Sequence, residues 1–210
     1  MTNTQKLAAL GMAGPIIFVL GIIIAGTQYE GYSHISQEIS QLGGIDSQYA
    51  WIQNTNFYLL ALSVIGFTFG LHRAIDGGKG SLVGIVLISF LGFSSAGLNA
   101  VMPCDALCDG VTAAGKLHLI TGITGFLAMA IGLIVISRRM AKSDDWKSYS
   151  RYTLATGILA IVLFIGIGVE DSIETSARSG LMQRIFVMNY LIWLFATGLR
   201  IVRNPELSNR

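Results

Sequence analysis

In the stretch NAVMPCDALCDG, residues 99–110, two cysteines, two aspartates and a proline follow directly on an apolar run. Cys104 and Cys108 can close a disulfide, because alpha carbons one helical turn apart lie roughly 6 Å from each other, near the upper range for such a bridge. Free thiols and metal ligation are the alternatives. A structural zinc site wants four nitrogen or sulfur ligands; His118 and an aspartate would fill out such a set, although no C-x-x-C spacing is present. Asp105 and His118 offer a different chemistry. The twelve residues between them leave room for a hairpin turn, and an aspartate beside an imidazole orients it and raises its basicity. They are the candidate catalytic pair, and the same two residues would serve equally as a plain clasp between two helix ends.

Other polar residues belong beside them. Glu170, Asp171, Gln183 and Arg184 flank the break in GVEDSIETSARSGLMQR and are candidate ligand-binding groups. An arginine at the start of an apolar helix needs a partner, because an unpaired buried charge costs several kcal/mol. Asp105, Glu170 or Asp171 would supply a carboxylate; alternatively the guanidinium fork grips a ligand phosphate or carboxylate. The first loop holds GYSHISQEISQLGG, residues 31–44. Ile35, Ile39 and Leu42 recur at helical spacing, Ser33, Ser36 and Ser40 fall opposite, and Gly43 and Gly44 suit a helix end. The segment reads as a short outer amphipathic helix. Either it plugs the top of a bundle, or its serine face lines a ligand cavity with His34 and Glu38 at the edges.

The elements that position these groups are apolar helices. The 210 residues are 52% hydrophobic and 12% charged, half the roughly 25% of a soluble domain, so lipid is the expected solvent. A membrane core of about 30 Å takes roughly 20 apolar residues per helix. Six stretches fit: Leu7–Gly26, Asn54–Leu71, Ser81–Met102, His118–Ser137, Tyr152–Val169 and Leu181–Val202. The fold class is therefore an all-α integral membrane protein, a six-transmembrane-helix bundle forming a single domain over residues 1–210. The first apolar run, about 20 residues, exceeds the ordinary 7–15-residue core of a signal peptide and is read as a retained helix. Ser94, Ser95 and Asn99, deeper in the third stretch, suit interhelical hydrogen bonds, and the 25 glycines suit close helix packing.

Charge sets an orientation. With the N-terminus inside, Lys6, Arg73, Lys79, Arg138, Arg139, Lys142, Lys147, Arg151, Arg200, Arg203 and Arg210 all lie inside, eleven of the fourteen basic residues. Basic residues near membrane helices stay cytoplasmic. Eight of the twelve acids, Glu30, Glu38, Asp46, Asp105, Asp109, Glu170, Asp171 and Glu174, fall on the other side. A multi-pass protein of the cytoplasmic (inner) membrane follows, with both termini cytoplasmic and the cysteines facing an oxidising compartment, where disulfides persist. A net charge of +2 without a basic stripe excludes nucleic acid as a partner.

YSHISQEISQLGG, MPCD, the histidine of GKLHL, and GLMQR, in that order, resemble the motifs of a bacterial and archaeal six-helix membrane family, domain of unknown function 998. The resemblance implies six transmembrane helices with the motifs at one face, and no established activity. Met102 stands where the family usually has an aromatic. No Walker loop, dinucleotide fingerprint, H-E-x-x-H or nucleophile elbow occurs. The reading with most support is an extracytoplasmic polar pocket that binds a lipid or small amphipathic molecule. The alternatives are a membrane hydrolase using Asp105 and His118, with or without metal, and a transporter, whose usual midplane charges are lacking. Ligand, cofactor and oligomeric state are not encoded in any motif.

Overall fold

The computed structural model describes residues 1–171 and 177–208, the side chains of residues 95, 96 and 171 excepted. Seven α-helices carry the chain: α1 (Asn3–Gln28), α2 (Ala50–Ala74), α3 (Lys79–Phe90), α4 (Ala113–Met140), α5 (Lys147–Asp171), α6 (Ser179–Arg203) and the short α7 (Pro205–Ser208). A 3₁₀ turn spans Ile39–Gly43, and a π-helical segment, Leu91–Leu98, continues α3. No strand occurs among the described residues. α1, α2, α4, α5 and α6 are long and apolar enough to cross a membrane. Each encloses its expected stretch and adds a polar turn at the ends.

Two boundaries differ from the sequence reading. Helical structure after Phe90 ends at Leu98, not near Pro103, so Asn99–Met102 belong to a turn. α4 starts at Ala113, five residues before His118, because Thr112 caps it: its Oγ1 accepts the Gly115 N–H at 3.0 Å. A side-chain acceptor at this position satisfies an otherwise orphaned amide. His118 consequently sits in the second turn of α4.

The helices form a closed ring in which each packs on its chain neighbours and α6 returns to α1. Glycines set the closest approaches. A Cβ at Gly70 of α2 would lie 2.9 Å from the Ala8 nitrogen, and one at Gly198 of α6 would lie 2.6 Å from the Ala8 carbonyl oxygen. Small residues let helices touch along the backbone, where dispersion and not water-driven burial holds them. The ends of the chain meet: Thr2 Oγ1 donates to the Ser208 carbonyl, and Gln5 Nε2 to that of Val202. At this terminal face Arg139 donates to the carbonyls of Gly77 and Ile75, Trp146 Nε1 to that of Ala74, and Arg200 lies over the rings of Trp146 and Tyr149. The first loop, the 99–112 turn and the start of α6 gather at the opposite face.

Candidate functional site

At that opposite face the first loop is a cap in two pieces. The expected continuous helix over 31–44 does not form. Ser33 Oγ accepts the Ile35 and Ser36 N–H groups, and Gln37 Oε1 accepts that of Ser33; such local side-chain bonds compete with helical ones. Glu38 is extended, and a new turn begins after it with a reciprocal Glu38–Gln41 cap. Ile39 and Leu42 are buried, as their spacing suggests, but Ile35 is 57% exposed, so the predicted apolar stripe is broken at its first member.

α6 grips this cap along its length. The Leu181 N–H donates to the Ile35 carbonyl, Ser179 Oγ to that of Ser36, and Arg184 Nη1 to that of Gln37 at 2.8 Å. Gln183 Oε1 accepts the Ile39 N–H at 2.7 Å while its Nε2 donates to Glu38 Oε2 at 3.0 Å. Gly180 permits the approach, since any Cβ there would overlap the Gln37 backbone. On the far side the Ile45 N–H donates to the Cys104 carbonyl, and Gln41 Nε2 to that of Ala106.

Arg184 departs from expectation. Its hydrogen bonds go to the Gln37 and Gly180 carbonyls, the Tyr32 hydroxyl and His34 Nδ1, and none of these acceptors is a carboxylate. Because Nδ1 of His34 accepts from a cation, the ring is neutral in this arrangement; partial burial and then the Arg184 charge hold its pKa below the usual histidine value.

In the 99–112 turn, the Cys104 and Cys108 sulfurs lie at disulfide distance, 2.05 Å apart. Cys108 has φ 52°, a left-handed conformation uncommon for a side-chain-bearing residue. Asp105 does not hydrogen-bond His118. Its carboxylate accepts Thr112 Oγ1 at 2.6 Å and the Thr112 N–H at 3.1 Å, behind the residue that caps α4. The Thr112 hydroxyl bond, aided by backbone amides and the nearby His118, holds this carboxyl below the usual carboxylate range. A lowered carboxyl pKa stabilises the fold above the ordinary aspartate value, and the contribution fades as pH falls through the folded-state value. Melting temperature should therefore drop on acidification, and Asp105→Asn should flatten that part of the profile. An unchanged acid limb in the variant would show that this carboxylate does not anchor the turn.

His118 turns elsewhere. Its Nδ1 lies 2.7 Å from the Met102 carbonyl. A carbonyl can only accept, so Nδ1 carries the proton, and in the neutral ring Nε2 presents a lone pair. His118 is 4% exposed and its Nε2 has no hydrogen-bond partner. Asp105 and His118 thus share a hairpin and interact electrostatically, but each has its own hydrogen-bond partner.

Beneath the cap, a cavity of about 400 Å³ lies between α1, α2, the π segment, α4, α5 and α6. Its polar end has Glu38, Ser40, Asn99, His118 and Gln183; its walls include Phe126, Phe164, Phe186 and Tyr190, which pack as an aromatic cluster. Of the candidate residues, Ser40, His118 and Gln183 line it. Ser33, Ser36, His34, Arg184 and Asp105 lie outside the lining. Glu170 is in the last turn of α5, and the side chain of Asp171 lies outside the described residues. The π segment brings Leu91 and Gly92 to the cavity, and Asn99 joins them from the turn that follows; the sequence carried no signal for the π segment beyond small residues. The aromatic walls were also missed, because apolar residues facing a cavity and those facing lipid are alike in type.

A family model described as Protein of unknown function (DUF998) matches residues 12–200. No curated protein and no solved structure matches the chain.

Proposed function

The chain belongs to the DUF998 family, and we propose that it is a six-pass protein of the cytoplasmic membrane that holds a lipid or small amphipathic molecule in the capped cavity. The helical run from Lys79 to Leu98 serves as the sixth span: its twenty residues match the roughly 20 that a helix needs to cross the hydrocarbon core. An even number of spans agrees with the meeting of the chain ends. The basic residues Arg73, Arg138, Arg139, Lys142, Lys147 and Arg203 then face the cytoplasm, and the cap faces outward. Native Cys104 and Cys108 lie at disulfide distance from each other, so cysteines introduced at the exposed Asp46 and Lys142 report on each side. An impermeant maleimide should label Asp46→Cys in intact spheroplasts and Lys142→Cys only after lysis. The reverse pattern would invert the assignment.

One observation carries the ligand reading: a largely apolar cavity whose polar end includes a buried imidazole nitrogen without a partner. Ligand sites are typically apolar with a few placed polar groups and span roughly 300–1,000 Å³. At about 400 Å³ the volume suits one acyl or isoprenoid chain better than a two-chain phospholipid. His118, Ser40, Asn99, Gln183 and Glu38 are the head-group side, and Arg184, His34, Ser33 and Ser36 hold the cap. Hydrolysis would ask Asp105 to orient His118, whereas the hydrogen bonds of both residues run elsewhere. Gly122 lines the cavity, and a Cβ there meets nothing nearer than Asn99 Nδ2 at 3.7 Å. Leucine at 122 can therefore fill the space. Solvent extraction and mass spectrometry should recover about one amphiphile per purified wild-type chain, and much less from Gly122→Leu. Equal recovery from both, with matched melting temperatures, would overturn the binding reading.

A further inference from the structure

Among the described residues, six have a buried side-chain nitrogen or oxygen without a hydrogen-bond partner, and of those only His118 lines the cavity. Its proton is committed to the Met102 carbonyl through Nδ1, which leaves Nε2 as an unmatched buried acceptor on a residue that lines the chamber. A buried acceptor left unmatched costs about 1–3 kcal/mol, so a ligand that brings a donor to it is favoured over one that does not.

The other groups at this end narrow the choice. Gln183 uses its oxygen on the Ile39 amide and its nitrogen on Glu38. Asn99 Oδ1 receives the Thr121 hydroxyl. The Glu38 side chain accepts the Gln41 N–H as well as Gln183 Nε2. The cavity lining contains no lysine or arginine, and Arg184, the nearest basic group on α6, faces the cap. A carboxylate or phosphate head would therefore enter beside the Glu38 carboxylate, with no lysine or arginine among the described lining residues. Burying a charge under those conditions is costly. An ether or ester head would leave Nε2 unmatched.

We infer that the ligand is a single-chain amphiphile with an uncharged hydroxyl head, which donates its hydrogen bond to Nε2 of His118 while the chain lies among Phe126, Phe164 and Phe186. This rests on the cavity being a ligand site, as proposed above, and adds the chemistry of the head group. The class is a long-chain or isoprenoid alcohol, free or released from a larger lipid.

The test uses the full-length protein in nanodiscs with four probes that share one chain: dodecanol, dodecyl methyl ether, dodecanoate and dodecylamine. Dodecanol should bind about tenfold more tightly than the ether, the size expected of one hydrogen bond to a buried acceptor, and more tightly than dodecanoate. With three histidines in the chain, ¹⁵N-histidine labelling gives few signals. The His118 Nε2 resonance should move upfield on adding dodecanol and stay fixed with the ether, a change that a purely structural histidine would not show. His118→Asn keeps a side-chain N–H for Met102 and, being shorter, places no acceptor at the Nε2 position, so alcohol and ether should bind it equally. Equal binding of alcohol and ether to the wild type, both lost in Gly122→Leu, would overturn the hydroxyl assignment and leave the cavity as a ligand site. Tightest binding of dodecanoate or dodecylamine would overturn it as well. Binding of every probe unaffected by Gly122→Leu would overturn the cavity reading itself.

Discussion

Replacing Gly198 by valine should destabilise the protein by about 3 kcal/mol or more, the upper range for overpacking a tight interior. The Cβ would lie 2.6 Å from the Ala8 carbonyl oxygen, 3.1 Å from Met12 Cγ and 3.4 Å from the Gly11 carbonyl carbon. Two of these three atoms are backbone, so no rotamer change relieves the overlap, and α6 must move off α1. That contact closes the ring of helices, and the cavity walls supplied by α6 depend on it. Gly122→Ala is the matched control: its new methyl sits 3.7 Å from the nearest side-chain atom, and alanine's helix preference makes it neutral or stabilising by up to about 1 kcal/mol. Thermal melts of the two variants in the same detergent give the comparison. A Gly198→Val protein as stable as wild type would mean that α1 and α6 do not meet along their backbones.

Arg184→Ala should release the cap while leaving the helices in place. The guanidinium bridges two carbonyls of different segments, the Tyr32 hydroxyl and His34, and it stacks on the Tyr32 ring at 5.6 Å. Hydrogen bonds to a charged group contribute about 1.5–3 kcal/mol each when protected from water. With Arg184 only partly buried, a total near 2–3 kcal/mol is expected. Hydrogen exchange should quicken over residues 35–44 and stay slow in α2 and α4. Arg184→Lys should recover only part of the protection, because an ammonium lacks the fork that spans several acceptors. Acid should act in the same direction. His34 has a lowered pKa in the fold, so its contribution is complete above the ordinary histidine value and is lost as pH falls below it through the folded-state value; protonated His34 then faces Arg184 as a second cation. Uniform exchange across the chain in Arg184→Ala, or a cap whose protection factors, each taken against the intrinsic exchange rate at that pH, are the same at pH 7 and pH 5, would show that this residue does not latch it.

The linear pattern of the chain determined its class and its helices. Low charge and long apolar runs specify lipid-compatible helices, and the five longest were legible because composition and length are local properties. The glycine content signalled close packing for the same reason, and the motifs placed the chain in its family. Tertiary structure decided the rest. Asp105 had two hydrogen-bonding routes in the sequence, His118 or its own turn, and Thr112 took it because a hydroxyl and an amide seven residues on reach it together. Ile35 had the spacing of a buried residue, but Ser33 and Gln37 broke the helix that would have turned it inward. The apolar lining of the cavity was invisible for a deeper reason. Phe164 lines it while Ile165, the next residue, is 61% exposed; in a membrane helix both directions favour apolar side chains, so hydrophobicity no longer tells inside from outside. Only the packing of six helical segments and the cap around one space, and a histidine held by Met102 with its second nitrogen unmatched, distinguishes the chamber from the lipid around it.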